Sequence, residues 1–203
     1  PAAPTATVIS QFVGEQDFVN FSRQYNIEVP AIKAVHEVES AGRGFLNGKV
    51  KILFEGHIFW NQLGKQGIKP ATVQPGNEDV LQPKYVARSP FYRLDQHTRL
   101  DKAARINEEA AYSSASYGLF QVMGFHAKPL GFASAKAFAD YLSVNEGNQL
   151  EAFGRFIKAN NHIKALQDHN WAKFAQGYNG SAYKTNKYDT KLANAYAKYS
   201  RIS

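Results

Sequence analysis

Three glutamates crowd the stretch VHEVESAGRGFLNGKVKILFEGHIFW, residues 35–60: Glu37, Glu39 and Glu55. A carboxyl group does acid–base work near neutral pH only where its surroundings lift its pKa toward the working pH. What matters is which of the three is withdrawn from water. Residues 30 to about 42 read as one helix, opened by Pro30 at a position proline tolerates and closed by Gly42 and Gly44. On a helical wheel with Val35 at zero, Ala31, Ile32 and Val38 all fall within about 60°. Glu39 falls at about +40°, inside that apolar stripe. Glu37 falls at about 200°, on the opposite face, one turn from Lys33 and spaced for an i,i+4 ion pair. Glu39 is therefore expected to be desolvated, its pKa raised, and fit to act as a general acid. Glu37 is expected at the surface.

Two later stretches also combine residues that bind or position. In SASYGLFQVMGFH, residues 114–126, Ser114 and Ser116 are placed to cap a helix starting near Tyr117. Gly118 permits a close backbone approach. Gln121 stands alone among Leu119, Phe120, Val122 and Met123, so it must find hydrogen bonds to protein or ligand. In FAQGYNGSAY, residues 174–183, a helix ends in Tyr178-Asn179-Gly180, and Asn-Gly suits a left-handed turn.

The elements that must position these groups are mostly helical. Phe12 to Tyr25 reads as an amphipathic helix with Phe18, Phe21 and Tyr25 at three-to-four spacing. Val50 to Phe54 reads as a short strand leading to Glu55. Residues 63–96, rich in Gly, Pro, Gln and Asn, read as an irregular insertion. Helical pattern returns at 101–113, 134–142, 147–160, 170–177 and 186–199. The expected class is α+β, mainly helical, with a small β element after the helix that carries Glu39.

Composition narrows the chemistry. The 203 residues suffice for one core, and no apolar run approaches the ~18 residues of a membrane span, so the chain is expected to be soluble. With no cysteine, disulfide scaffolds, thiol nucleophiles and cysteine-based zinc sites are excluded. His36 with Glu37, or His57 with Glu55, lacks any zinc-binding spacing such as HExxH, so no metal and no cofactor is expected. From Arg155 onward nine Lys/Arg face two Asp/Glu, and the remainder carries fifteen of each sign; the net charge of +7 is thus C-terminal. That bias suits an anionic wall or membrane, and without a nucleic-acid motif no nucleic-acid partner is expected. PAAPTATV, with no basic or apolar leader segment, reads as linker-like, giving residues 1–12 as linker and 13–203 as the working domain.

VESAGRGF, ILFEGH, SASYGLFQVMGFH, RFIKAN and YNG occur in this order across about 150 residues. Together they resemble the N-acetylmuramidase domain of phage endolysins, within the lysozyme superfamily and similar in motif to goose-type lysozymes and lytic transglycosylases. The resemblance spans about residues 15 to 200. It implies cleavage of the β-1,4 bond between N-acetylmuramic acid and N-acetylglucosamine in bacterial peptidoglycan. Glu39 matches the family's general acid, Ser116 and Gln121 the segment lining the glycan cleft, and Tyr178 and Asn179 the Tyr-Asn turn beside the acid. Tyr117 and His126, within the same motifs, are further expected substrate-binding residues. Among Glu55, Glu109 and Asp101, Glu55 is the preferred second catalytic carboxylate, since its strand leaves the turn beside Glu39. A lytic transglycosylase yielding 1,6-anhydro products is the alternative. A monomer is expected, acting on the wall of its host and released from the cytoplasm with a holin or similar helper.

Overall fold

Residues 10–40 and 42–202 are described by the computed structural model. The linker reading of residues 1–9 lies outside the described residues, as does Ala41 within the Glu-Ser-Ala-Gly motif. Helices α1 (Glu15–Tyr25) and α2 (Val29–Glu39) lead into a hairpin of β1 (Phe45–Leu46) and β2 (Lys49–Val50). Strand β3 (Ile52–Phe54) follows, then α3 (Gly56–Lys65), α4 (Pro70–Val73), a 3₁₀ turn (Pro90–Arg93), α5 (Gln96–Ala104) and α6 (Glu108–Ser113). Strands β4 (Ala115–Tyr117) and β5 (Val122–Met123) complete an antiparallel sheet in the order β3-β4-β5. The rest is helical: a 3₁₀ turn (Gly124–His126), α7 (Ala135–Leu142), α8 (Glu146–Ala159), α9 (Ile163–Gln167), α10 (Trp171–Asn179), a 3₁₀ turn (Ser181–Tyr183) and α11 (Tyr188–Ser200). The mainly helical α+β architecture is as the sequence predicts.

The core gathers around α8. Helix α1 packs on α8, and Phe21, Tyr25, Ile32, Val35, Phe153 and Ile157 are buried in one cluster. Gly154 makes the approach possible, since a Cβ there would stand 2.4 Å from the Tyr25 ring. Helix α11 lies along α2 and against α10, which brings the C-terminal segment to the helix that ends in Glu39.

Several local expectations change. Helix α1 starts at Glu15 instead of Phe12, because the Asp17 carboxylate accepts from Gly14 N at 2.8 Å and fixes the first turn there. Phe12 is exposed. The stretch at 101–113 is two helices. Asp95 caps α5 through Thr98 N, and Asn107, in extended backbone, caps α6 through Ala110 N. Residues 63–96 hold more order than expected, and α3 was not predicted; its buried Phe59 and Leu63, four apart, were the legible signal. Ser114 and Ser116 do not cap a helix at Tyr117. Ser114 instead closes α6, its hydroxyl donating to Ala110 O at 2.6 Å, and residues 115–117 are a strand. Gly180 has positive φ but extended ψ (73°, −167°), so the turn after Asn179 is not the left-handed helical one.

Candidate active site

Glu39 occupies the last turn of α2, half-buried, on the helix along which α11 packs. Its carboxyl accepts one neutral hydrogen bond, from Asn179 Nδ2 to Oε1 at 2.9 Å. Burial raises the Glu39 pKa, while the Asn179 amide and the Lys191 charge pull the other way without cancelling it. Tyr178, next to Asn179, stacks on Phe174 and meets Phe153 edge-on. Burial, and then the Glu39 charge, raise its phenol pKa, so it stays protonated. The helix α10 thus delivers an amide to Glu39 from its last turn and an aromatic ring from the residue before.

Glu37, two residues earlier, has the reverse environment. Lys198 Nζ lies 2.7 Å away and the Tyr199 hydroxyl donates at 2.6 Å, and these bonds hold its pKa below the ordinary carboxylate value. The expected partner Lys33 instead pairs with Glu15 of α1 at 2.7 Å. Helices α1 and α11 both pack against α2, and each takes one charge of the expected intrahelical pair.

Glu55 follows β3 and extends its ladder, with Glu55 N donating to Ser114 O at 2.9 Å. The register Leu53↔Ser116 and Ser116↔Met123, with alternation along each strand, puts Leu53, Glu55, Ser116 and Met123 on one face of the sheet. Ile52, Phe54, Ala115, Tyr117 and Val122 fill the core face. Two groups converge on Glu55 Oε2: the Tyr92 hydroxyl, donating at 2.7 Å, and His57 Nδ1 at 3.4 Å. The His57 ring meets Tyr85 edge-on at 5.3 Å.

A desolvated carboxyl held by an amide donor, and a second, partly buried carboxylate at a strand end, are the residue types that acid-assisted glycosidic cleavage uses. The N-acetylmuramidase profile matches residues 28–200. The chain belongs to the N-acetylmuramidase family. Among solved structures, the crystal structure of Burkholderia AP3 phage endolysin is similar, with a TM-score of 0.86 and 37% identity over 98% of this chain and 75% of that one. No curated protein matches. The protein is a lysozyme-type peptidoglycan hydrolase, an endolysin-like muramidase.

The other sequence-predicted residues of the muramidase fall into separate groups. Ser116, nearly buried, donates to Gln121 Oε1 at 2.8 Å, and Gln121 Nε2 donates to Gly118 O at 2.8 Å. Gln121 thus finds its bonds inside the β4–β5 turn, with φ of 49°. Tyr117 is in the core, 2% exposed, its hydroxyl donating to Tyr112 O at 2.8 Å; it supports the sheet from beneath and presents no surface to a glycan. His126 packs between Phe125 and Phe156, and Phe156 meets Tyr178, so a file of rings joins it to the Glu39 side. Burial lowers the His126 pKa, keeping the ring neutral at pH 7. Of the other carboxylate candidates, Glu109 accepts from Ala135 N at the start of α7, and Asp101 is exposed on α5.

Two residues that sequence reading missed brace the turns around the candidate site. Glu146, 5% exposed, accepts from Gly44 N at 2.8 Å and Val13 N at 3.1 Å. Gln149 accepts from Leu119 N at 2.8 Å and donates to Leu142 O at 3.0 Å. Glu146 pins the turn after Glu39 onto α8, and Gln149 pins both that turn and the β4–β5 turn. Gly44 and Gly118 let them in: a Cβ at either would stand 2.1 Å and 2.6 Å from the nearest Gln149 atom. Their signal was legible, as polar residues at 146 and 149 in register with the buried Leu150 and Phe153. Among the described residues no helix is long and apolar enough to cross a membrane, and no group of three or more potential metal ligands gathers.

Proposed function

We propose that this muramidase, working through a domain of residues 13–203, hydrolyses the β-1,4 bond between N-acetylmuramic acid and N-acetylglucosamine with Glu39 as general acid. The observation that carries this reading is the contrast of environments along one helix: burial raises the pKa of Glu39, while Lys198 and Tyr199 hold that of Glu37 down. A protonated Glu39 donates its proton to the glycosidic oxygen as the bond to the anomeric carbon breaks. Asn179, bound to Oε1, supports this reading by fixing the carboxyl in place. Glu55 is the second carboxylate, stabilising positive charge on the sugar or directing the attacking water. With Tyr92 and His57 both on Oε2, its Oε1 remains for that water. Ser116, Gln121 and His126 shape the cleft wall around the sugar.

Proton transfer to the leaving oxygen and water attack at the anomeric carbon give a fragment with a reducing muramic acid end. Mass spectrometry of fragments released from purified sacculi tests this directly. Reducing muramic acid ends are expected. A 1,6-anhydro end would instead mean that the sugar's own 6-hydroxyl attacks, and would remove the role given to Glu55. The surplus of Lys and Arg after Arg155 serves contact with the anionic wall or outer membrane, acting as a monomer without a nucleic-acid partner.

A further inference from the structure

Residues Lys191, Asn194, Ala195 and Lys198 stand at i, i+3, i+4 and i+7 on α11, one stripe along one face. That stripe and Glu37 and Val38 of α2 line a groove of about 500 Å³. Glu37 and Val38 belong to the last turn of α2, the turn that also carries Glu39, and the groove runs along that turn. Its two lysines are not equivalent. Lys198 is neutralised by Glu37 at 2.7 Å. Lys191 has no carboxylate partner among the described residues; its ammonium lies 5.2 Å over the Tyr188 ring, and it is exposed. The groove therefore presents one cation outside any ion pair among the described residues, with an amide, Asn194, one turn further on.

The substrate carries matching chemistry. Each muramic acid bears a short peptide through its lactyl group, and that peptide has free carboxylates. On the reading above, which this inference rests on, the sugar attacked next to Glu39 is the muramic acid, so its peptide leaves the cleft beside the end of α2. We propose that the groove between α2 and α11 seats this stem peptide, with Lys191 pairing a peptide carboxylate and Asn194 bonding its backbone. Lys191 is then a specificity-determining residue that favours peptide-bearing glycan over bare glycan. The influence of the Lys191 charge on Glu39 accords with this placement, since it puts the ammonium within electrostatic reach of the acid.

The test compares kcat/KM on intact peptidoglycan with that on glycan chains stripped of peptide by an amidase, for wild type, Lys191→Gln, Lys191→Arg and Asn194→Ala. An exposed ion pair accounts for up to about fivefold. Lys191→Gln is expected to lose about that factor on intact substrate, mostly in KM, and clearly less on stripped chains, while Lys191→Arg keeps the wild-type preference. Asn194→Ala is expected to lose in the same direction by a smaller factor. Equal losses on both substrates, or no loss on intact peptidoglycan, would overturn the proposal and leave Lys191 only a tuner of Glu39. In the former case the alkaline limb of the pH profile moves up on both substrates without a change in preference. A wild-type enzyme that released no muramic acid ends from either substrate would instead overturn the underlying reading. Because the two side chains are exposed, the variants are expected to fold as wild type, checked by thermal unfolding.

Discussion

The two carboxylate neighbourhoods of this muramidase are built on different principles. Around Glu39, three helices converge and supply burial with a single neutral donor, the Asn179 amide. Around Glu55, a strand end meets an irregular segment, and the partners are a phenol and an imidazole on one oxygen. Packed helices exclude water well but offer few donors, since their backbone groups are already satisfied. Segments such as 79–95, with little regular structure, present side-chain donors such as the Tyr92 hydroxyl directly. One neighbourhood suits holding a proton, the other suits holding a carboxylate in place. Arg99 makes the second rigid: wholly buried, it bonds Phe54 O at 2.9 Å, Asp79 O at 2.9 Å and Gln96 Oε1 at 2.9 Å, tying the segment to the strand before Glu55.

The comparison breaks first at Glu39. Glu39→Gln is expected to reduce peptidoglycan cleavage by about 10²–10⁴-fold, the range for loss of a general acid, as measured by release of reducing ends. The same variant should not be less stable. Because burial puts the folded-state pKa of Glu39 above its unfolded value, wild-type stability falls as pH rises through the interval between them. The glutamine variant is spared that loss, so its melting temperature at pH 7 should equal or exceed that of wild type, with no advantage below the interval. A destabilised variant would mean that the carboxylate supports the fold.

Glu55→Gln comes next, with an expected loss of about 10²-fold and little change in substrate binding. Retention of full activity would make the Glu55 region a scaffold for α3 and nothing more. Asn179→Ala should cost about tenfold or less, but its signature is in the pH profile. The amide favours the ionised acid, so its removal lifts the Glu39 pKa further and carries the alkaline limb of kcat/KM to higher pH. A downward shift would contradict the assigned bond. Glu37→Gln is the smallest effect, with activity within about twofold of wild type. A large loss there would erase the distinction between the two faces of α2.

Much of this was readable in advance, and for identifiable reasons. The wheel separated Glu39 from Glu37 because a helix imposes its period whatever packs around it. Tyr178 and Asn179 were found together because a turn motif is local. Misreadings fell where long-range contacts overrule local preference. Lys33 left Glu37 for Glu15 because α1 packs beside it. Ser114 and Ser116 were read as caps of a helix starting near Tyr117, but residues 115–117 paired with β3 as a strand, which put Tyr117 in the core. Helix α3 was missed behind a glycine that closes onto Gln82, where a Cβ would stand 1.9 Å from its amide oxygen.

The sequence by itself determined which carboxyl lies on the apolar side of its helix, the mainly helical class, and the family through five ordered motifs. Only the tertiary structure decided what each carboxyl touches. Asn179 reaches Glu39 across 140 positions, Tyr92 reaches Glu55 across 37, and Glu146 reaches Gly44 across 102. Periodicity is a property of neighbouring residues and can be read along the chain. A donor's arrival depends on how the whole chain closes on itself, and that depends on the packing of every element between.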